Sequence, residues 1–151
     1  MPTISFAFRD KLNAVIGGEL HSYCFQCGAC VGDCPAARYS PRFNPRLIML
    51  KCIMGVAEEL LAPDSIIWLC TNCYNCYERC PQDVRPVEVI IALKNLARAQ
   101  QHAPQKVEAM VNSVKAQGLT ATVTSATERI RTELGLLPLP PVPVEELKEL
   151  M

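Results

Sequence analysis

Cys24-Phe25-Gln26-Cys27-Gly28-Ala29-Cys30-Val31-Gly32-Asp33-Cys34-Pro35 and Cys70-Thr71-Asn72-Cys73-Tyr74-Asn75-Cys76-Tyr77-Glu78-Arg79-Cys80-Pro81 carry one spacing twice, C-x2-C-x2-C-x3-C-P. Three thiolates at intervals of three residues let a short loop or single helical turn wrap three corners of an iron–sulfur cubane. A fourth cysteine followed by proline is carried away towards a second cube. The repeat therefore predicts two 4Fe-4S clusters that exchange their fourth ligands. Cys24, Cys27, Cys30 and Cys80 are expected on the first, and Cys70, Cys73, Cys76 and Cys34 on the second.

Other chemistries of a cysteine-rich chain fit less well. Disulfides need an oxidising compartment, and nine cysteines are an odd number. Met1 to Leu20 has Arg9, Asp10 and Lys11 in its middle and no apolar run with a small-residue cleavage site, unlike a secretory signal. Zinc prefers two cysteine pairs converging on one tetrahedron, and two consecutive four-cysteine runs would crowd each ion with local thiolates. Cys52, outside both runs in Leu47-Ile48-Met49-Leu50-Lys51-Cys52-Ile53-Met54, is expected to pack as a small hydrophobe.

Composition narrows the function further. Half of the 151 residues are hydrophobic, which suits one packed core with extensions. Lys plus Arg and Asp plus Glu number 15 each, so the polypeptide has no net field to attract nucleic acid or an anionic membrane. No stretch reaches the roughly 20 apolar residues of a membrane span, and a cytoplasmic location is expected. Eight thiolates and two oxidised cubane cores would bring the chain to about −4. Arg38, Arg42, Arg46, Arg79 and Arg85 lie near the runs and can offset that charge. An arginine beside a cluster would favour its reduced state. Tyr74 and Tyr77 are expected to exclude water from the second cluster, and Trp68 to lie in the core.

The flanks read as helical. Between the runs lie 35 residues, in which Asn44 can cap and Pro45 can open a helix to about Leu61, ended by Ala62-Pro63. Its apolar residues surround most of the axis, so burial between the clusters is expected. Pro86 suits the first turn of a second helix carrying Val87, Ile90, Ile91, Leu93 and Leu96. Pro104 opens a segment with Val107, Met110, Val111 and Val114 on one face, closed by Gly118, and Ala126 to Leu134 fits another helix before Gly135. At the N-terminus Ile4, Phe6 and Phe8 alternate as in a short strand or extended arm over Pro2 to Phe8. Asp10 to Ile16 fits a helical turn before Gly17-Gly18. Leu136 to Val144 places Pro138, Pro140, Pro141 and Pro143 among Leu and Val, a composition for extended chain that is either a flexible linker or, as its apolar side chains favour, a partner-docking arm. The expected fold is mainly α: an N-terminal arm over 1–20, an α-helical ferredoxin domain with two 4Fe-4S clusters over 21–102, and a short helical and Pro-rich C-terminal extension over 103–151. The common small two-cluster ferredoxin differs, being β-rich with a shorter segment between its runs.

Cys24-Phe25-Gln26-Cys27-Gly28-Ala29-Cys30 with Cys34-Pro35, and above all Trp68-Leu69 with the run Cys70 to Pro81, closely resemble the C-type subunit of heterodisulfide reductase. The resemblance covers most of Leu20 to Ala99 and, more loosely, Gly118 to Pro138. It implies a small α-helical ferredoxin, an electron wire in a hetero-oligomer. The wire runs between an A-type flavin- and cluster-bearing subunit and a B-type catalytic subunit that reduces the coenzyme M–coenzyme B disulfide. Relatives in sulfate reducers and other anaerobes keep the C-type subunit with other substrates, so the terminal acceptor stays open.

The residues agree with a role that is not catalytic. The histidines are His21 and His102, and no carboxylate pair, Ser/His/Asp order or G-x-G-x-x-G loop is recognisable. No two cysteines are adjacent, unlike the Cys-Cys-Gly repeat of the family's catalytic subunit. A free-standing ferredoxin is the alternative, but it would lack an apolar tail. A cluster-based sensor would want a helix-turn-helix, and an iron–sulfur protein of the succinate dehydrogenase type would want a C-x4-C-x2-C run.

Overall fold

The computed structural model describes residues 4–150, apart from the side chains of 148 and 150. Pro2 and Thr3, placed above in a strand or arm, lie outside the described residues. The chain divides into two compact units, residues 1–103 and 104–151, and among the described residues the regular structure is helical throughout. The protein is mainly α.

The first unit begins with α1 (Phe6–Asn13), started by Ser5, whose Oγ accepts from the Phe8 amide at 3.1 Å. The Ile4, Phe6, Phe8 alternation is therefore not a strand. Phe8 and Leu12, a helical four residues apart, enter the core, while Ile4 and Phe6 face solvent. A 3₁₀ turn, Glu19–Tyr23, leads to the first cysteine run, which contains the short turns α2 (Ala29–Gly32) and α3 (Pro35–Tyr39).

Next comes α4 (Pro45–Met54), with Asn44 Oδ1 accepting from Leu47 N at 3.1 Å and Pro45 in its first turn. It is shorter than the expected helix to Leu61. Gly55, at φ +68°, supplies a left-handed end, and the Gly55 and Val56 amides bond back to the carbonyls of Cys52 and Lys51. The chain then restarts as a 3₁₀ turn, Glu58–Leu61. The helix is not buried all round: Ile48, Met49 and Cys52 are inside, but Leu47 and Met54 face outwards.

The second half follows the same plan. A 3₁₀ turn, Ile66–Leu69, precedes the second run, which contains α5 (Asn75–Glu78), and α6 (Pro86–Ala99) follows. Helix α6 matches the expected segment and buries Val87, Val89, Ile90, Ala92, Leu93 and Ala97. It packs against α1, α4, α5 and all three 3₁₀ turns, which makes it the spine of the unit. Phe43, Ile48, Met49, Leu60, Leu61, Ile67, Ile90 and Leu93 form the centre of the core. Each such side chain, fully buried, contributes about 1.5–3 kcal/mol. His102 closes the unit by bonding its Nδ1 to the Leu61 carbonyl at 2.7 Å.

The second unit holds α7 (Gln105–Gln117), α8 (Ser125–Glu133) and α9 (Val144–Leu150). Helix α7 follows Pro104 and ends on Gly118 at φ +72°, and Thr124 caps α8 through its side chain. The Pro-rich stretch is irregular. It does not simply run out as an arm: Val142 lies against Gly118 so closely that a Cβ there would meet Val142 Cγ1 at 2.2 Å. No described side chain in this unit is fully buried, and Leu134, Leu136, Leu137 and Leu139 are exposed.

Candidate cluster sites

The two cysteine runs repeat at a constant offset of 46 residues, and their backbones repeat with them. Gln26 (φ 57°) and Gly28 (φ 84°) in the first run match Asn72 (φ 53°) and Tyr74 (φ 63°) in the second. Left-handed residues alternating with ordinary ones turn successive amide N–H groups to one side, making the concavity in which anions and iron–sulfur clusters are held. The left-handed region costs a non-glycine residue about 1–2 kcal/mol. Tyr74 bears that strain where Gly28 avoids it. Each left-handed pair is followed at once by a single helical turn, α2 or α5, and then by Cys34-Pro35 or Cys80-Pro81.

The side chains gather into two hollows. One is lined by Cys24, Cys27 and Cys30 from the first run and Cys80 from the second, together with Arg46, Gln82 and Val84. The other is lined by Cys70, Cys73 and Cys76 from the second run and Cys34 from the first, together with Phe43, Pro45, Tyr74 and Ile90. They hold similar atom-free space, about 340 Å³ and 320 Å³. Cys27 and Cys73 are the exposed members of the two sets, and the other six are half-buried.

Backbone amides face several of the sulfurs. Gln26 N donates to Cys24 Sγ at 3.5 Å, Ala37 N to Cys34 Sγ at 3.4 Å and Val84 N to Cys80 Sγ at 3.3 Å. The Asn72 amide does the same for Cys70. Such bonds favour the more negative form of a thiolate-bound centre. Burial, reinforced by the nearby charges of Cys76 and Cys24, pushes the Cys30 thiol up to about 12. Burial, followed by the charge of Cys70, pushes Cys76 up to about 11. Thiols held this way stay protonated until a metal charge displaces the proton. The hollows meet where α2 packs against α5, the turns that carry Cys30 and Cys76.

The donor set fits iron–sulfur chemistry. Each hollow is ringed by four thiols with no carboxylate or imidazole among its lining residues. Among the described residues no three Cys, His, Asp or Glu groups close on a single metal ion.

The flanking residues have separable roles. Of the five arginines near the runs, Arg46 lines the first hollow. Arg79 and Arg38 reach Asp33 at 2.9 and 3.7 Å, and Arg85 pairs with Asp83 while covering the Tyr77 ring at 4.9 Å. Arg42 lies in a groove with Lys51 and Glu59, away from the cysteines. Tyr74 lines the second hollow, whereas Tyr77 packs on Tyr74 at 5.9 Å without lining it. Trp68 is half-buried against the core, with Nε1 buried and unpaired. Cys52 is fully buried, and burial pushes its thiol up to about 12. Lys94, which no motif singles out, donates from Nζ to the Cys70 carbonyl at 2.9 Å and to Asn72 Oδ1 at 3.0 Å.

Residues 20–84 match the 4Fe-4S dicluster domain family, the class that the paired hollows also define. The chain is 38% identical over 135 residues to the C-type subunit of the H(2):CoB-CoM heterodisulfide,ferredoxin reductase of Methanothermobacter thermautotrophicus, spanning 89% of this chain and 71% of that one. It is 33% identical to the C-type subunit of the Ferredoxin:CoB-CoM heterodisulfide reductase of Methanosarcina mazei, across 85% of this chain and 81% of that one. With the C-type subunit of the Ferredoxin/F(420)H(2)-dependent CoB-CoM heterodisulfide reductase of Methanosarcina acetivorans it shares 33% identity, across 93% of this chain and 89% of that one. The chain belongs to the family of heterodisulfide reductase C-type subunits. It is an iron–sulfur electron-transfer protein. No helix among the described residues is long and apolar enough to cross a membrane.

Proposed function

We propose that this chain is the electron-transfer subunit of a heterodisulfide-reductase-type complex, carrying two 4Fe-4S clusters between an A-type flavin and iron–sulfur subunit and a B-type catalytic subunit. Cys24, Cys27, Cys30 and Cys80 would hold one cluster, and Cys70, Cys73, Cys76 and Cys34 the other. The observation that carries this reading is the composition of the hollows: three thiols from one run and the fourth from the other, twice over. Each cluster, when bound, supplies a one-electron couple.

What the chain contributes is position and surroundings. Exposed Cys27 and Cys73 put one corner of each set at the surface, where a partner can approach, and Cys30 beside Cys76 puts the inner corners together. The path between two partners then runs through the protein rather than around it. Apolar Phe43, Pro45 and Ile90 keep water from the second set. The second unit, with its exposed leucines and no fully buried side chain among its described residues, suits docking to another subunit.

Anaerobic purification from the native source tests the reading. About eight iron and eight sulfide per chain are expected, with a flavin-bearing and a catalytic chain co-purifying. One or two zinc and no sulfide would overturn the clusters. Recovery of the chain alone would overturn the complex. Deletion from Leu136 onward should leave the iron content intact and lose the partners. Undiminished recovery of the complex would remove the docking role.

A further inference from the structure

Lys94 is a cation with an unusual address. It stands on α6 among fully buried Ala92, Leu93 and Ala97, and is itself half-buried. Burying an ammonium is costly unless hydrogen bonds and opposite charge compensate it. Its hydrogen bonds come from one short segment, the Cys70 carbonyl and Asn72 Oδ1. The Trp68 ring lies 5.9 Å from Nζ, within cation–π range. Among the described residues no carboxylate forms an ion pair with it. The groups that face Nζ are the Cys70 carbonyl and Asn72 Oδ1, so the ammonium is held beside the second cysteine run.

The first hollow is built differently at the corresponding place. Gln26, the counterpart of Asn72, is tied to the backbone of α4, to Arg46 O and Leu50 N at 3.3 Å each once its amide is oriented to satisfy both. Loop and helix are joined there without a charge. In the second half the same join is made by an ammonium.

We propose that Lys94 is a positioning and tuning residue that sets the reduction potential of the cluster held by Cys70, Cys73, Cys76 and Cys34. The role rests on the reading of those thiols as one cluster's ligands. A cubane on four thiolates takes up one electron and gains one negative charge, so a fixed cation beside it favours the reduced form. Lys94 also holds Cys70 and Asn72 to α6, keeping that charge at a constant place relative to the sulfurs.

The test is a reductive titration of the anaerobically purified protein, followed by electron paramagnetic resonance, with iron analysed for every variant. Lys94→Met should shift the reduction equilibrium of one cluster towards the oxidised form by about tenfold, a midpoint lower by about 59 mV for one electron. The other cluster should stay where it is, and Lys94→Arg should restore most of the shift. The cluster that moves should be the one whose spectrum Cys73→Ser disturbs. Absence of iron and sulfide from the unaltered protein would sink the ligand assignment on which the role depends. Two loaded clusters with unmoved midpoints in Lys94→Met, or equal shifts of both, would overturn Lys94 alone. If Lys94→Met loses iron, Lys94→Gln, which keeps an amide donor without the charge, takes its place under the same criteria. Loss of the second cluster from both neutral variants but not from Lys94→Arg would make Lys94 an anchor rather than a tuner.

Discussion

Gln26 and Gly28 take nearly the same backbone conformations as Asn72 and Tyr74, yet glycine at 28 and tyrosine at 74 have little in common. Glycine at position 28 leaves the first hollow open towards Arg46, whose Cδ would lie 3.8 Å from a Cβ added there. Tyrosine at position 74 closes the second hollow with its ring, beside Phe43 and Ile90. A common backbone with different walls separates two demands. The curl of each run answers the shared need to aim amides and thiols at one space, and the walls set the polarity around it. Tyr74 is the instructive case, because a left-handed tyrosine is retained only where the surroundings over-determine it.

The proposed exchange of Cys34 and Cys80 between the halves gives the largest expected effect. Cys80→Ser should disturb the cluster spectrum in the way Cys27→Ser does, and Cys34→Ser in the way Cys73→Ser does. Each should lose up to one cluster's iron. Because the proposed crossed bonds would cross-link segments far apart in the chain, the variants should also unfold more readily than the unaltered holoprotein. Spectra that pair Cys80 with Cys73 would mean that each half keeps its own cluster, and the halves would then be independent modules.

A smaller effect separates the two left-handed corners. Gly28→Ala meets only an ordinary contact, so its cost is the backbone alone, about 1–2 kcal/mol. For a unit of this size that lowers the melting temperature by roughly 4–8 °C per kcal/mol. Tyr74→Gly relieves the same strain but gives up the packing of the ring and adds freedom to the unfolded chain, so its net effect should be close to zero. Thermal melts of the two holoproteins measure the contrast. Equal losses would show that the corners are not equivalent in the way their angles suggest.

Much of this was legible in the sequence, for identifiable reasons. The cysteines announce themselves by spacing, α6 and α7 by their proline starts and apolar periodicity, and α8 by the glycine that follows it. The break at Gly55 was harder to read, because Val56, Ala57, Leu60 and Leu61 continue the apolar run beyond it and hide the end of α4. Helix α1 was obscured by the Ile4, Phe6, Phe8 alternation; the signal that could have found it is Ser5 as a cap with Phe8 and Leu12 four apart. Tyr74 carries no glycine to betray its φ, and only alignment of the two runs on Gly28 points to it. Lys94 lies 24 residues from Cys70 and acquires meaning only when α6 folds against the second run.

Cys52 probes the core that joins the halves. Its thiol ionises near the usual cysteine range in the unfolded chain and near 12 in the folded one. The unfolded state therefore releases a proton first as pH rises. The contribution of the buried thiol is complete below about pH 8.5 and is lost progressively above it, by about 2 kcal/mol near pH 10. Denaturant unfolding of the protein and of Cys52→Ala, compared at pH 8 and pH 10, should show the difference between them shrinking. A constant difference would mean that Cys52 is less enclosed than its burial indicates.

The smallest expected effect lies at the seam between the halves. Asp33 and Arg79 occupy the same place in the two runs, one residue before the fourth cysteine, and they pair across the seam at 2.9 Å. Asn75 Nδ2 adds a bond to the Asp33 carbonyl at 3.1 Å. This looks like the clasp that holds the hollows together, but both charged side chains are well exposed, Arg79 at 67% and Asp33 at 43%. An exposed ion pair contributes about 0–1 kcal/mol, less at high salt. The crossed thiolate bonds proposed here join the same two segments far more strongly. A double-mutant cycle of Asp33→Asn and Arg79→Gln in the holoprotein should therefore give a coupling below about 1 kcal/mol that fades as salt is raised, with both cluster spectra unchanged. A coupling above about 2 kcal/mol, insensitive to salt, would mean that the ion pair rather than the exchanged cysteines fixes the halves against each other.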